Sequence, residues 1–297
     1  MTGHVPVLAD ETLAWLAPRP GGIVLDGTAG LGGHAERIAR ALGADATLIL
    51  LDLDADILAR AEARISGLGP RVLARHASFA DSCAILADLG IPAVDGVLLD
   101  LGINSEQLDD PARGLSFRFD GPLDMRLDRS RGGTAADLVN RLPEKELADL
   151  IWRFGEERRS RAVARAIADE RRRAPIVRTG RLADIIRRAV GGRPGGIDAA
   201  TRSFQALRIA VNGELEALEN FLTRLPGLLR TGGRAVVIAF HSLEDRLVKQ
   251  AFRREAAAGT LKVLTKKPVR PGEAEEAANP RCRSARLRAA EKSERNQ

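Results

Sequence analysis

The residues best suited to chemistry sit in Asp26-Gly27-Thr28-Ala29-Gly30-Leu31-Gly32-Gly33-His34, which ends a short apolar run and opens an Ala-rich helical pattern. Glycine admits positive φ and close ligand approach, and the free N–H groups of a helix start favour an anion. No Gly-Lys-Ser/Thr follows, so a nucleoside triphosphate loop is excluded. Asp52 ends the next apolar run nineteen residues past Gly33, where a carboxylate can accept both hydroxyls of a ribose. That spacing suits a dinucleotide and S-adenosylmethionine equally, and a purely structural tight turn also uses such glycines. Asp100 closes a further apolar run in Leu98-Leu99-Asp100-Leu101-Gly102, beside the crevice where open α/β sheets bind ligands. Methyl transfer from a sulfonium to an amine needs in-line approach and an acceptor for the amine hydrogens, which a strand-end carboxylate supplies. Capping of the next turn is the plainer role for the same residue.

These acids need strands to carry them. Apolar runs at 22–26, 47–52, 71–75 and 94–99 alternate with helical patterns at 33–42, 55–66 and 79–89, the signature of βαβ units and a parallel sheet. From about 104 to 201 no buried-strand run occurs. A Gly- and Asp-rich loop gives way to polar helices near 144–154, 157–173 and 181–190, with Thr179 as N-cap of the last, closed by the punctuation Gly191-Gly192-Arg193-Pro194-Gly195-Gly196. Phe204, Leu207, Val211, Leu215, Leu218 and Leu222 then form an apolar stripe on one long predicted helix. A buried strand is expected at 233–240, and 261–264 with 285–289 as an antiparallel edge pair. The expected division is a discontinuous sheet domain, 1–104 and 202–297, with an inserted helical domain at 105–201.

Composition limits the setting. A chain of 297 residues suggests one or two domains, and Cys83 and Cys282 with four histidines provide neither a disulfide framework nor a structural zinc set. No metal is expected. No leader pattern or membrane-length apolar run is seen, so a soluble, cytoplasmic protein without membrane contact is expected. Net charge is +6, yet residues 151–188 alone hold twelve arginines against five acids. Clustered arginine is the footprint of phosphate binding, although solvated helix faces carry such runs as well. Arg158, Arg159, Arg161 and Arg165 are the first candidates for phosphate contacts.

Further strings complete the pattern: His4-x-Pro6-Val7-Leu8, Gln107-Leu108-Asp109-Asp110, Gly114-x-Ser116-Phe117, Asp120-Gly121-Pro122-Leu123-Asp124-Met125-Arg126, Gly155-Glu156-Glu157, Thr201-Arg202-x-Phe204-Gln205-Ala206-x-Arg208-Ile209, Asn212-x-Glu214-Leu215, Phe240-His241-Ser242-Leu243-Glu244-Asp245-Arg246 and Asn279-Pro280-Arg281. With the glycine loop and the Asp100 segment, they resemble the MraW-type family of small-subunit ribosomal RNA methyltransferases over nearly the whole length. That resemblance implies an α/β, Rossmann-like S-adenosylmethionine-dependent methyltransferase sheet with an inserted helical RNA-recognition domain. It implies methylation of N4 of a cytosine in the decoding region of 16S rRNA, with the small ribosomal subunit as partner; a homodimer is left open. Carried onto matching positions, Gly32, Gly33 and His34 hold the methionine part of the cofactor, Asp52 the ribose and Phe79 the adenine, while Asp100 and Gln107 complete the site.

Asp100 is the candidate for orienting the amine, and Phe117 and His241 are candidates for contact with the RNA base. One departure stands out: Asn104-Ser105-Glu106 replaces the family's Ser-Ser-Pro or Ser-Ser-His. A DNA amino-methyltransferase is the weaker alternative, because its Asp/Asn/Ser-Pro-Pro-Tyr/Phe motif is missing and the chain has no tyrosine. An NAD-linked oxidoreductase would share only the first loop, and a noncatalytic ribosome-assembly factor would bind RNA without turnover.

Overall fold

The computed structural model describes residues 6–191 and 198–294. His4 and the predicted punctuation at 192–196 lie outside them. In chain order the elements are α1 (Ala9–Leu16), β1 (Ile23–Asp26), α2 (Gly33–Leu42), β2 (Thr47–Asp52), α3 (Ala55–Ile65), β3 (Arg71–His76), α4 (Ser82–Asp88) and β4 (Val94–Asp100). Then come α5 (Ser105–Asp109), α6 (Ala135–Arg141), α7 (Glu144–Gly155), α8 (Ser160–Arg171), α9 (Thr179–Val190) and α10 (Thr201–Asn212). The chain closes with α11 (Glu214–Leu228), β5 (Leu229–Ala239), α12 (Ser242–Ala257), β6 (Leu261–Val263), α13 (Glu273–Ala278) and β7 (Arg286–Lys292).

The seven strands form one Rossmann-like sheet in the order β3-β2-β1-β4-β5-β7-β6. Strands β1 to β5 pair in parallel, and β7 runs antiparallel to both β5 and β6. Side chains alternate across the pleat, so Leu48, Leu50, Leu98 and Val236 enter one apolar layer while Ile49, Leu51, Val97, Leu99 and Val237 enter the other. With both faces covered, these strands read as continuous apolar runs. The expected edge pair exists as β6 and β7, with β7 inserted between β6 and β5.

The chain divides into two compact units, 1–102 with 215–297, and 103–214. The second unit has its own core of Leu147, Ile151, Val163, Ile167, Leu182, Ile186 and Phe204, among others. It runs past the expected boundary at 201 and takes in α10. The predicted long helix is in fact two. Gly213 takes φ 63 and caps α10 by donating to the Ile209 carbonyl, so Phe204 and Leu207 join the helical core while Leu218 and Leu222 join a sheet layer. A left-handed residue ends a helix whatever the apolar period beyond it.

Thr179 also differs from its expected role. Arg178 occupies the N-cap of α9; the Thr179 hydroxyl instead accepts the Gly121 N–H at 2.9 Å. Among the described residues no helix is long and apolar enough to cross a membrane.

Candidate functional site

Three neighbouring strands, β2, β1 and β4, end on acids: Asp52, Asp26 and Asp100. Parallel pairing sets Asp26 opposite both Leu50 and Leu98, so the carboxylates gather at the carboxyl edge of the sheet. The loop leaving β1 is stitched beneath them. Gly27 donates to the Leu98 carbonyl and Ala29 to the Leu51 carbonyl, each at 2.9 Å. The Asp100 N–H reaches Thr28 Oγ1 at 2.6 Å.

Glycine is required here for stated reasons. A Cβ on Gly27 would lie 2.5 Å from Leu99 Cδ2 and 2.9 Å from Phe79 Cβ. Gly32 has φ 78, and its Cβ would meet Ala61 Cα at 3.1 Å. Gly32 is also the N-cap of α2, whose first turn carries His34.

Asp52 accepts the Gly30 N–H at 2.8 Å on one oxygen and the Asp54 N–H at 2.9 Å on the other. The Leu53 N–H is a third backbone donor to the group, so the carboxylate is held in orientation by the chain around it. Burial raises its pKa against the pull of these N–H groups. Asp26 is 1% exposed, and burial pushes its carboxyl up to about 7 despite the Thr28 N–H bond and the nearby His34; the charges of Asp100 and Asp52 push the same way.

His34, 7% exposed, points Nε2 at Asp100 Oδ2 across 3.6 Å, longer than a hydrogen bond. His34 Nε2, Asp100 Oδ1 and Asp26 Oδ2 are all buried without a hydrogen-bond partner among the described residues. Buried polar atoms are rarely left so, and three of them fall within one loop-and-strand-end cluster. Phe79 begins the turn after β3 and packs edge-on against Phe221, with centroids 5.7 Å apart.

The sequence pattern of the MraW methylase family matches residues 1–293. The chain belongs to the MraW methylase family. The ribosomal RNA small subunit methyltransferase H of Syntrophobacter fumaroxidans is 49% identical over 306 residues, covering 97% of this chain and 96% of that relative. A protein of the same name from Sorangium cellulosum is 52% identical over 288 residues, covering 97% and 90%.

In this MraW methylase the departure at Asn104 has a local explanation. Asn104 Oδ1 accepts the Gln107 N–H at 2.9 Å, and Gln107 Oε1 accepts the Asn104 N–H at 3.2 Å, a capping box for α5. Asparagine caps as well as serine does. Gln107, expected at the cofactor, is buried within the helical unit and orients that cap.

His241 has a similar post. Its Nδ1 accepts the Glu244 N–H at 3.4 Å, and Glu244 accepts the N–H groups of Phe240 at 2.8 Å and His241 at 3.2 Å. The Phe-His-Ser-Leu-Glu string therefore encodes the start of α12. Phe117, the other expected base contact, lies edge-on to Phe204 at 4.8 Å with the Arg187 guanidinium 5.4 Å from its ring. Those are packing contacts inside the helical unit.

The arginine cluster is partly neutralised. Arg165 lies 3.7 Å from Glu144, Arg178 bonds Asp120 at 2.7 Å, and Arg187 pairs with Asp184 and Asp198. Arg159 donates to the Val190 carbonyl at 2.6 Å, and Arg172, Arg181 and Arg188 are ion-paired to Asp169 or Glu170. Arg158, Arg161 and Arg173 are exposed, and their side chains have no ion pair or hydrogen bond among the described residues.

One feature escaped sequence reasoning. Met125 is fully buried at φ 66, a left-handed residue without glycine. Asn212 holds that turn: its Nδ2 donates to the Met125 carbonyl and its Oδ1 accepts the Leu127 N–H, each at 2.8 Å. The Gly-Pro-Leu-Asp-Met-Arg string is thus the closure of a loop, with Asp124 further clamping Arg126 at 2.7 Å.

Proposed function

We propose that this methylase uses S-adenosylmethionine to methylate N4 of a cytosine in the decoding region of 16S rRNA, acting on the small ribosomal subunit. The observation that carries the reading is the cluster of unpartnered buried atoms on His34, Asp100 and Asp26 beside the glycine loop. The names of the relatives support the choice of RNA.

The residues fit the donor. Gly32, Gly33 and His34 would hold its methionine part, Asp52 its ribose and Phe79 its adenine, with Gln107 and Asp100 at the remaining contacts. Asp52 stands at a strand end with its carboxylate oriented by backbone N–H groups, and the closeness of Gly32 to Ala61 leaves backbone where a side chain would otherwise stand. When bound, the donor supplies an electrophilic methyl on a sulfonium.

Asp100 accepts the amine hydrogens, which turns the nitrogen lone pair towards the methyl. Its Oδ1 is desolvated and unpaired, so the acceptor needs no water stripped from it as the reaction begins. As the S–CH3 bond breaks and the N–CH3 bond forms, the nitrogen becomes cationic and acidic, and its proton passes to water, so that Asp100 serves as a hydrogen-bond acceptor and not as the base. Removing the base from its stack costs a few kcal/mol in a duplex and less in a loop. Arg158, Arg159, Arg161 and Arg165 hold backbone phosphates, the two unpaired arginines contributing most, while Phe117 and His241 shape the helical unit and the start of α12.

The test is incorporation of labelled methyl into small subunits from cells lacking the protein, followed by mass mapping of the nuclease-released oligonucleotides. One N4-methylcytidine in the decoding region is expected. RNA binding without any incorporation would leave a noncatalytic assembly factor as the reading.

A further inference from the structure

Three large hydrophobic side chains stand exposed among the described residues, Phe119 at 56%, Trp152 at 57% and Val177 at 54%, and all belong to the helical unit. Trp152 lies on the last turn of α7, where its carbonyl accepts the Glu156 N–H. The inward face of that helix is Leu147, Ala148, Ile151 and Gly155, so the indole faces away from the core.

Residues 156–159 turn the chain directly into α8, and so short a link makes the two helices antiparallel neighbours. The Arg165–Glu144 pair at 3.7 Å ties the start of α7 to the middle of α8. Trp152 lies three residues before the end of α7, Arg158 three residues after it in the link, and Arg161 on the first turn of α8. All three belong to the corner between α7 and α8.

The surroundings are cationic. Arg158 and Arg161 have no partner among the described residues, and Arg153 lies over the Phe154 ring at 5.1 Å with its charge uncompensated by an ion pair. Asp149 and Glu156 are the exposed acids nearby. A lone exposed indole at a corner that also carries unpaired guanidinium groups is poorly matched to an apolar protein face, which needs contiguous apolar neighbours. It matches a flat base with phosphates on either side.

We infer that Trp152, Arg158 and Arg161 form a docking surface for single-stranded RNA, on which one unpaired base stacks while the arginines hold the flanking phosphates. The segment must be single-stranded, because only an unstacked base offers its face. This rests on the reading of the substrate as RNA.

The chain has two tryptophans, and Trp15 is half-buried in the sheet unit, so indole emission tests the surface directly. Titrating the whole protein with a labelled single-stranded RNA oligonucleotide is expected to quench the emission in step with the rise in RNA anisotropy. Trp152→Phe keeps binding but loses the quench, and Trp152→Ala weakens binding about tenfold. The double variant Arg158→Ala/Arg161→Ala lowers the slope of log affinity against log salt by about two. Because these side chains are exposed, thermal melting stays unchanged.

RNA anisotropy that rises with no change in emission, and with Trp152→Ala binding as tightly as the parent, would overturn the surface and leave the RNA reading standing. Absence of RNA binding by the parent protein would overturn both.

Discussion

His34 Nε2 and Asp100 Oδ2 face each other across 3.6 Å, and neither His34 Nε2 nor Asp100 Oδ1 has a hydrogen-bond partner among the described residues. The pair joins the first turn of α2 to the last residue of β4. Leaving such atoms unpaired costs each its hydration on folding.

If Asp100 acts by accepting amine hydrogens, a substitution that keeps an acceptor oxygen will be tolerated better than one that removes it. Asp100→Asn is expected to retain single-turnover methylation within about tenfold, and Asp100→Ala to lose about a hundredfold. Rates at saturating donor keep donor affinity out of the comparison. Equal losses in both variants would make the charge, and not the acceptor, the working feature.

Asp26 couples stability to pH. Burial raises its folded-state pKa to about 7 from an ordinary value of 3.8, so between these values the folded protein holds a proton that the unfolded chain has lost. Stability from this group is therefore full below about pH 4 and declines as pH rises to about 7. A shift of this size corresponds to at most about 4 kcal/mol. Asp26→Asn removes the titration, and Asp52, which burial shifts the same way, remains in both proteins. Melting temperatures measured from pH 4.5 to 8 are expected to fall more steeply for the parent than for the variant; parallel curves would show that Asp26 is ionised throughout.

Gly32 binds two demands together, a left-handed backbone and contact with α3. Gly32→Ala would put Cβ 3.1 Å from Ala61 Cα at φ 78, costing about 1–2 kcal/mol from the backbone alone. Urea melts should show that loss. Donor titration by calorimetry should show weakened binding as well, since the same displacement moves Gly33 and His34. Unchanged donor affinity in a destabilised variant would place the donor away from this loop.

The carboxyl edge of the sheet was legible because its signals are local. Asp26, Asp52 and Asp100 each end an apolar run, and the glycines sit where a turn must follow. The helical unit was less legible for the opposite reason. Counting charges in 151–188 could not reveal that Glu144, Asp120 and Asp198, all outside that window, neutralise Arg165, Arg178 and Arg187. The apolar stripe from Phe204 to Leu222 kept its period across Gly213, and only the reversal of backbone φ there separates two helices serving different cores. Asn104 looked like a departure at a binding site, and its Asn-x-x-Gln spacing is the capping box that explains it.

Asn212 stands 87 residues from the Met125 carbonyl it holds, and that distance is why the Gly-Pro-Leu-Asp-Met-Arg string gave no sign of its purpose. Besides the bonds to Met125 and Leu127, Nδ2 donates to the Arg208 carbonyl at 2.9 Å. Asn212→Ala removes all three and leaves a part-buried N–H and carbonyl unpaired at a strained residue. A loss of about 2–3 kcal/mol is expected, from one or two buried groups left unsatisfied. Hydrogen exchange locates it: faster exchange should appear at Leu127, whose N–H loses its acceptor, and at Met125, which donates to the Arg113 carbonyl at 3.0 Å in the same turn. Strands β1, β2 and β4 should keep their protection, because their hydrogen bonds lie in the other compact unit. Stability and exchange equal to the parent's would mean that the left-handed Met125 turn is held by the loop itself, through Asp124 and Arg126, and not by α10.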